Sequence, residues 1–261
     1  MEDSYTVNAE ATGKGMQRLK PPKITAVSDV PDAFVSVIYD AFVNRCNDRF
    51  TLVLSGGPTA RACYERVADG SVAIAWELVD IYMGDERWVS PGSPDANEQL
   101  VREALIDRVE SVGSFHPMLT DPDRAACIDA YTKEISELLA TGGIDVIHLG
   151  MGEDGHTASL FPGSAQLNAR DDELVVASRD ETGTNPHERL SLTLPVINSS
   201  RLAVFTVAGS TKAAAMRAVL NGEDTPANRV HAGDVRWLVD AEALGQELGE
   251  VGRQSSGEET R

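Results

Sequence analysis

Basic side chains are scarce in this sequence of 261 residues, which has 23 Lys and Arg against 41 Asp and Glu and a formal net charge of −18. Nucleic acids and anionic membranes are polyanions that proteins bind by supplying Lys and Arg. The composition therefore argues against both as partners. A small anionic ligand is compatible with it only where a few basic residues gather locally.

Long apolar runs are also absent. No stretch approaches the roughly 18 to 20 consecutive apolar residues that a membrane-spanning helix needs. The first residues, Met1-Glu2-Asp3-Ser4, lack the basic and then apolar layout of a secretory signal. We therefore expect a protein of the cytoplasm.

Cysteine is rare, and Cys46, Cys63 and Cys127 are too far apart to form a Cys-x-x-Cys pair. We interpret them as reduced packing residues rather than as disulfide, zinc or redox groups. No His-x-x-His or His-x-x-x-His pair occurs among the five histidines, which are His116, His148, His156, His187 and His231. We expect no metal site and no cofactor.

Short apolar runs alternate with helical patterns. The predicted strands are 50–55, 78–83, 144–149, 174–177, 190–193 and 202–207, and the predicted helices are 32–46, 59–68, 97–108, 125–139 and 211–220. This alternation indicates an α/β fold with a mostly parallel sheet and helices on both faces, as a single domain over 25–248. Residues 1–24 and 249–261 are polar and lack periodicity, which predicts a flexible N-terminal arm and a flexible tail.

Two polar turns follow the first two predicted strands, at the sheet edge where such folds bind ligands. Ser55-Gly56-Gly57-Pro58-Thr59 opens a helix, so it is either an anion site built from backbone N–H groups or an ordinary turn capped by Thr59. In Gly84-Asp85-Glu86-Arg87-Trp88, Arg87 offers a fork of donors suited to an oxyanion or carbonyl. Asp85 is a candidate to orient that fork or to take a proton.

The string Gly150-Met151-Gly152-Glu153-Asp154-Gly155-His156 leaves the strand at 144–149. Its glycines, Gly152 among them, allow the backbone to approach a ligand closely, while His156 projects into a cleft. Asp154 is a candidate to fix the tautomer of that imidazole. The string also contains a literal G-x-G-x-x-G, but Pro162 ends the following pattern within two turns, which argues against nicotinamide binding.

Two further loops supply positive charge. Arg189 begins the strand at 190–193, and Lys212 lies near the start of the helix at 211–220, where an anion is favoured. Surface cations are common, but in so acidic a chain these residues and Arg87 at neighbouring loops predict an anionic ligand.

Together these segments resemble the glucosamine-6-phosphate isomerase/6-phosphogluconolactonase family, and within it the lactonases. The resemblance covers about Ala33 to Ala241. Its strings occur here in family order, as LSGGPT, GDERWV, SPDANEQ, GMGEDGHTASLFPGS, ERLSLTLPVIN and VAGSTKA.

The resemblance implies a Rossmann-like fold and metal-independent hydrolysis of 6-phospho-D-glucono-1,5-lactone, a small phosphorylated sugar lactone of the oxidative pentose phosphate pathway. His156 would be the general base that takes a proton from water and returns it to the leaving ring oxygen. Arg87 would hold the substrate or its oxyanion, and Asn97 would contact the sugar. The residues associated with the phosphate are Ser55, Gly56, Gly57, Arg189 and Lys212.

Two other functions stay open. In an amino-sugar-phosphate isomerase or deaminase, Asp85 would abstract a carbon-bound proton, but the related deaminases have a glutamate five residues after the histidine, where this chain has Phe161. A catalytically silent sugar-phosphate-binding regulator is the second, and intact His156 and Arg87 argue against it. The sequence does not determine the oligomeric state, although a monomer is favoured.

Overall fold

The computed structural model of the protein describes residues 6–7 and 23–245. The helices are α1 Val30–Val43, α2 Pro58–Val67, α3 Asn97–Ala104, α4 Arg124–Thr141, α5 Leu194–Asn198 and α6 Ala213–Leu220. The strands are β1 Thr6–Val7, β2 Lys23–Ala26, β3 Phe50–Leu54, β4 Val79–Met83, β5 Asp85–Arg87, β6 Ser114–His116, β7 Val146–Leu149, β8 Val175–Ser178, β9 Arg189–Leu192, β10 Leu202–Val207 and β11 Asp234–Val239.

Eight strands form the main sheet in the order β1-β2-β11-β10-β7-β3-β4-β6, in which only the β1–β2 pair is antiparallel. The chain runs outward from β3 through β4 to β6 and then returns to β7 on the other side of β3. The strand order therefore reverses between β3 and β7, which is where open α/β sheets place their ligands. The predicted α/β fold with a mostly parallel sheet is confirmed.

Local sequence explains the elements that build this frame. The carboxylate of Asp29 accepts a hydrogen bond from the N–H of Asp32 at 2.8 Å and so caps the start of α1. Phe34, Ile38 and Phe42 follow at four-residue spacing and bury one face of that helix. Strands β3 and β7 are buried at every position, as expected for parallel strands covered on both faces.

Three predictions about the strands need correction. The segments 174–177 and 190–193 were predicted for the parallel sheet, but β8 and β9 form a separate antiparallel sheet with β5 in the order β5-β9-β8. Residues 85–87 were predicted as a turn and are the strand β5. Strands β2, β6 and β11 were missed, because they are short or carry charged residues that break the apolar pattern.

The predicted arm also ends earlier than proposed, since Lys23 and Ile24 belong to β2 and Thr6–Val7 pair with it as β1. The other residues of the predicted arm and the whole predicted tail, 249–261, lie outside the described residues. Among the residues that are described, no helix combines the length and the apolar character needed to cross a membrane.

Candidate active site

A cavity of about 280 Å³ opens at the carboxyl ends of β3, β7 and β10 and is closed on one side by β5 and β9. Every predicted site residue except Asp154 lines it. Those residues are Ser55, Gly56, Gly57, Thr59, Asp85, Arg87, Asn97, Gly152, His156, Arg189 and Lys212. Segments separated by more than a hundred residues therefore meet at one place.

His156 lies on the cavity wall with 18% of its side chain exposed, and its ring is hydrogen-bonded to Asp154. Nδ1 of the ring lies 2.6 Å from Oδ1 of Asp154, and the same oxygen accepts the backbone N–H of His156 at 3.1 Å. Burial alone would raise the pKa of the Asp154 carboxyl, but the hydrogen bond and charge of His156 outweigh it and hold that pKa below its ordinary value. A carboxylate at Nδ1 places the proton of neutral imidazole on that nitrogen and leaves Nε2 as the base.

The backbone around this pair is shaped for the imidazole. A Cβ atom on Gly152 would overlap the ring of His156 and the carboxylate of Asp154, so only glycine fits there. Gly155 has φ +81°, and Ala158, on the cavity wall, has φ +47°. A non-glycine residue in the left-handed region is uncommon and is found at functional sites more than elsewhere.

The side chains of Asp85, Glu86 and Arg87 point alternately to the two faces of β5, because side chains alternate along a strand. Asp85 and Arg87 face the cavity, whereas Glu86 points away from it and is 1% exposed. The carboxylate of Glu86 accepts the backbone N–H groups of Arg87, Asn97 and Glu98, each at 2.6 Å. It thereby caps α3, whose own cap residue has no side-chain hydrogen bond.

Glu86 was not among the predicted site residues. Burial raises the pKa of its carboxyl to about 7, and the three N–H donors oppose that rise. The bonds to the N-terminus of α3 position Asn97, whose amide donates to the carbonyl and the carboxylate of Asp85 at 2.9 and 3.1 Å. The lack of a capping residue at Ala96 was the only sequence signal for this role.

Asn97 and Asp85 are both buried beneath the SGG loop. A Cβ atom on Gly56 would overlap the amide of Asn97, so this glycine lets the loop approach α3 closely. The other carboxylate oxygen of Asp85 accepts the hydroxyl of Ser159 at 2.5 Å and lies 3.7 Å from the guanidinium of Arg189. These contacts immobilise Asp85 on the cavity floor.

Arg87 and Arg189 are directly opposite each other on the antiparallel pair β5–β9. Like charges at such positions repel, and the carboxylate of Asp85, 3.7 Å from Arg189, compensates part of that repulsion. Burial lowers the pKa of the Arg189 guanidinium, and Asp85 opposes that shift. One NH group of Arg87 is fixed by the carbonyl of Asp95 at 2.6 Å. A ligand with negative charge or a developing oxyanion would relieve the repulsion.

Two helix starts also line the cavity. Gly57, with φ +107°, precedes α2, which has no side-chain cap, and Thr59 lies in its first turn. Gly209, with φ +91°, precedes a 3₁₀ turn that ends at Lys212. In the described part of the chain, no carboxylate forms an ion pair with Lys212. Helix N-termini without a side-chain cap and a lysine ammonium without an ion pair in the described residues are suited to a phosphoryl group.

Buried polar atoms without a partner are concentrated here. In residues 6–7 and 23–245, such atoms at the cavity are Oγ of Ser55, Nε of Arg87, Oδ1 of Asn97 and Nε of Arg189. Burying polar atoms without hydrogen bonds costs about 1–3 kcal/mol each, so their clustering points to a polar ligand that supplies the missing partners. Within the same residues, no group of three or more His, Cys, Asp or Glu side chains is arranged to hold a metal ion.

Some cavity residues were not predicted. Asn185 reaches the wall from the loop before β9, where the carboxylate of Asp180 binds its backbone and side chain at 2.9 Å. Thr206 lies at the end of β10. The ring of Phe161 packs 4.8 Å from that of His156. Asn185 and Thr206 had no distinguishing sequence signal, because a single polar residue in a loop or strand is common.

The fold is that of a Rossmann-like α/β protein, and its cavity combines three basic side chains with a histidine–carboxylate pair. The sequence profile of the family described as glucosamine-6-phosphate isomerases/6-phosphogluconolactonase matches residues 25–238. The chain belongs to this family.

Relatives and solved structures agree with that assignment. The 6-phosphogluconolactonase of a Nostoc species is 36% identical over 77% of this chain and 85% of its own length. The crystal structure of 6-phosphogluconolactonase from Thermotoga maritima has a TM-score of 0.74 at 28% identity and covers 83% of this chain and 98% of its own. The 6-phosphogluconolactonase from Shewanella baltica has a TM-score of 0.73 at 28% identity and covers 85% and 99%.

Proposed function

We propose that the protein hydrolyses 6-phospho-D-glucono-1,5-lactone to 6-phospho-D-gluconate, a reaction of the oxidative pentose phosphate pathway, with His156 as general base. The similar proteins named above are 6-phosphogluconolactonases. The observation that carries the proposal is the convergence of the His156–Asp154 pair, two unpaired arginine Nε groups and Lys212 on one cavity.

The proposed reaction begins with water bound beside Nε2 of His156. As the water oxygen forms a bond with the lactone carbonyl carbon, Nε2 takes one of its protons, and Asp154 stabilises the resulting imidazolium through Nδ1. When the tetrahedral intermediate collapses, the bond from that carbon to the ring oxygen breaks, and the proton passes from Nε2 to that oxygen. General base catalysis of this kind contributes about 10² to 10⁴ in rate.

The arginines would stabilise the negative charge that develops on the carbonyl oxygen. The carbonyl oxygen becomes an oxyanion during attack, and Arg87 and Arg189 each have a buried Nε–H without a partner in the described residues. Donors aimed at an oxyanion contribute about 3–4 kcal/mol to transition-state stability. Arg87, already fixed by the carbonyl of Asp95, is the donor we assign to the oxyanion.

The phosphate of the substrate would lie between the N-terminus of α2 and Lys212. The phosphate is remote from the reacting carbon, and its binding energy serves to orient the lactone beside His156. Arg189, opposite Arg87 on the paired strands, also lines the cavity and adds positive charge. The proposed substrate is a small molecule. A cytoplasmic location and a monomeric state stay predictions from the sequence.

Isomerisation or deamination of an amino-sugar phosphate is the nearest alternative. Phe161 fills the position of the deaminase glutamate and packs its ring against His156, so a carboxylate cannot complete a relay there. Asp85, the proton acceptor that this reaction would need, is bound by Ser159, Asn97 and Arg189. A silent regulator would not need the oriented His156–Asp154 pair.

The test is a continuous assay with freshly generated 6-phosphogluconolactone, coupled to 6-phosphogluconate dehydrogenase, in which the protein is compared with buffer. We expect a rate well above spontaneous hydrolysis, and no ammonia release from glucosamine 6-phosphate. A rate equal to that of buffer, or ammonia release, would refute the proposal.

A further inference from the structure

A second histidine, His148, lies directly beneath the cavity in β7 and is 0% exposed. Its Nδ1 is 2.8 Å from the hydroxyl of Tyr64, and its Nε2 is 2.8 Å from the hydroxyl of Thr206. Burial lowers the pKa of the His148 imidazole to about 3, so the ring is neutral at neutral pH. Neither the sequence motifs nor the proposed reaction uses this residue.

Counting hydrogen-bond donors determines the tautomer of His148. The Tyr64 hydroxyl has one proton and two acceptor positions. It accepts the N–H of Ser55 at 3.0 Å and lies 2.9 Å from the carbonyl of Ser55, which has no proton to give. The hydroxyl must therefore donate to that carbonyl, and its remaining contact must accept Nδ1–H of His148. Nε2 then accepts the hydroxyl proton of Thr206.

This chain of hydrogen bonds connects the two loops at the phosphate end of the cavity. Ser55 begins the SGG loop after β3, and Thr206 lies at the end of β10, just before the loop that carries Lys212. Strands β3 and β10 are not neighbours, because β7 lies between them. The ring of His148 is therefore a spacer between the two loops and is bonded to both sides.

We propose that His148 is a positioning residue that sets the separation of the two phosphate-binding loops and thereby the affinity for the phosphoryl group of the ligand. His156, Asp154 and Arg87 are held by other contacts, so the chemical step is affected little. The inference rests on the proposed function only in taking these loops to bind phosphate.

The first test separates binding from chemistry. His148→Leu should raise KM and the Kd for inorganic phosphate about tenfold while kcat stays within about threefold. His148→Asn, whose amide N–H occupies the position of Nδ1 and can still donate to Tyr64, should recover most of the affinity. Tyr64→Phe should weaken binding like His148→Leu, and the double variant should be no weaker than either one, because both act through one chain. Unchanged phosphate affinity in His148→Leu, or additive losses in the double variant, would overturn the proposal.

The second test is read on the wild-type protein and does not depend on turnover; the His148→Asn variant serves only to assign the signals. With ¹⁵N-labelled histidine, the NMR signals absent from His148→Asn should show Nδ1 protonated, Nε2 unprotonated and no titration from about pH 5 to about pH 9. A proton on Nε2, or a titration in that range, would contradict the assigned chain. Phosphate binding by a protein without lactonase activity would refute the proposed reaction and leave this inference standing.

Discussion

Two histidine–carboxylate pairs of similar geometry lie in very different surroundings. Nδ1 of His156 is 2.6 Å from Asp154, and Nδ1 of His116 is 2.9 Å from Glu134. Nε2 of His116 also lies 2.9 Å from the hydroxyl of Ser114, which reproduces the serine, histidine and acid arrangement of a hydrolase triad. Judged by local geometry alone, the second cluster is the better candidate for catalysis.

The surroundings of Ser114 argue against that role. Its hydroxyl donates to Asp80, which also binds Arg49 through two bonds of 2.5 Å, so the serine proton is already committed to a carboxylate. The ring of His116 is stacked on Tyr82 at 4.0 Å, and none of these side chains lines the cavity. The pair at His156 instead faces a cavity with unpaired donors. A catalytic pair is thus distinguished by the space and the groups in front of it.

Replacing His156 and, in a separate variant, His116 with alanine should give the largest difference in kcat. His156→Ala should lower kcat about 10²- to 10⁴-fold with little change in KM, because the base is lost while phosphate binding is retained. The coupled lactonase assay, corrected for spontaneous hydrolysis, measures both constants. His116→Ala is the matched control and should keep kcat within about twofold. Equal effects of the two substitutions would remove the distinction between the pairs.

Gly152→Ala tests whether the position of the cavity imidazole matters as much as its presence. The added Cβ would displace the ring of His156 and the carboxylate of Asp154. Since displacement by about 1 Å can cost about 10²-fold in rate, kcat should fall by about that factor while the unfolding temperature changes little. Wild-type kcat in a folded Gly152→Ala protein would show that the pair tolerates displacement.

Lys212→Ala should act on the other end of the same cavity. Losing one charge-assisted hydrogen bond to the phosphate should raise KM about tenfold to a hundredfold and leave kcat nearly unchanged. Lys133→Ala is a suitable control, because Lys133 is 79% exposed and lies 3.9 Å from Glu137 on the surface of α4. An unchanged KM in Lys212→Ala would remove this residue from the phosphate site.

Asp80→Asn should give the smallest effect, and on stability rather than activity. Burial raises the pKa of the Asp80 carboxyl, but bonds from Arg49 and Ser114 outweigh it and hold that pKa below its ordinary value. An acid whose pKa is lowered by folding stabilises the fold above its unfolded pKa, and this contribution disappears as the pH falls through the folded pKa.

Denaturant unfolding should therefore show a loss of about 1 kcal/mol for Asp80→Asn near neutral pH and no difference at strongly acid pH. Lactonase activity should be unaffected. A stability difference that grows as the pH falls would contradict the lowered pKa of Asp80. A loss of kcat would show that Asp80 and its neighbours Ser114 and His116 contribute to the reaction.

Much of the site could be predicted because its strings are local. The glycines of the SGG loop and the acid-flanked His156 are recognisable without a structure, and the structure brings them to one cavity. Glu86 could not be predicted, because its hydrogen-bond partners Asn97 and Glu98 belong to a helix that begins eleven residues later. His148 looked like one more residue of a buried strand.

Strand β5 could not be predicted from the sequence for the same reason, because it depends on a partner remote in the chain. Residues 85–87 read as a charged turn, since a strand of three polar residues has no apolar alternation, and only pairing with β9 reveals it. That pairing also places Arg87 opposite Arg189, although about a hundred residues separate them in the chain.

By itself the sequence determined the α/β class, the positions of most core strands and helices and the order of the ligand loops. Hydrophobic periodicity, glycines and charge are properties of short segments, so these features are readable without folding the chain. Only the tertiary structure decided that His148 is buried between two hydroxyl groups and that His116 is bound outside the cavity. Those roles depend on burial and hydrogen-bond partners, which are supplied by residues remote in sequence.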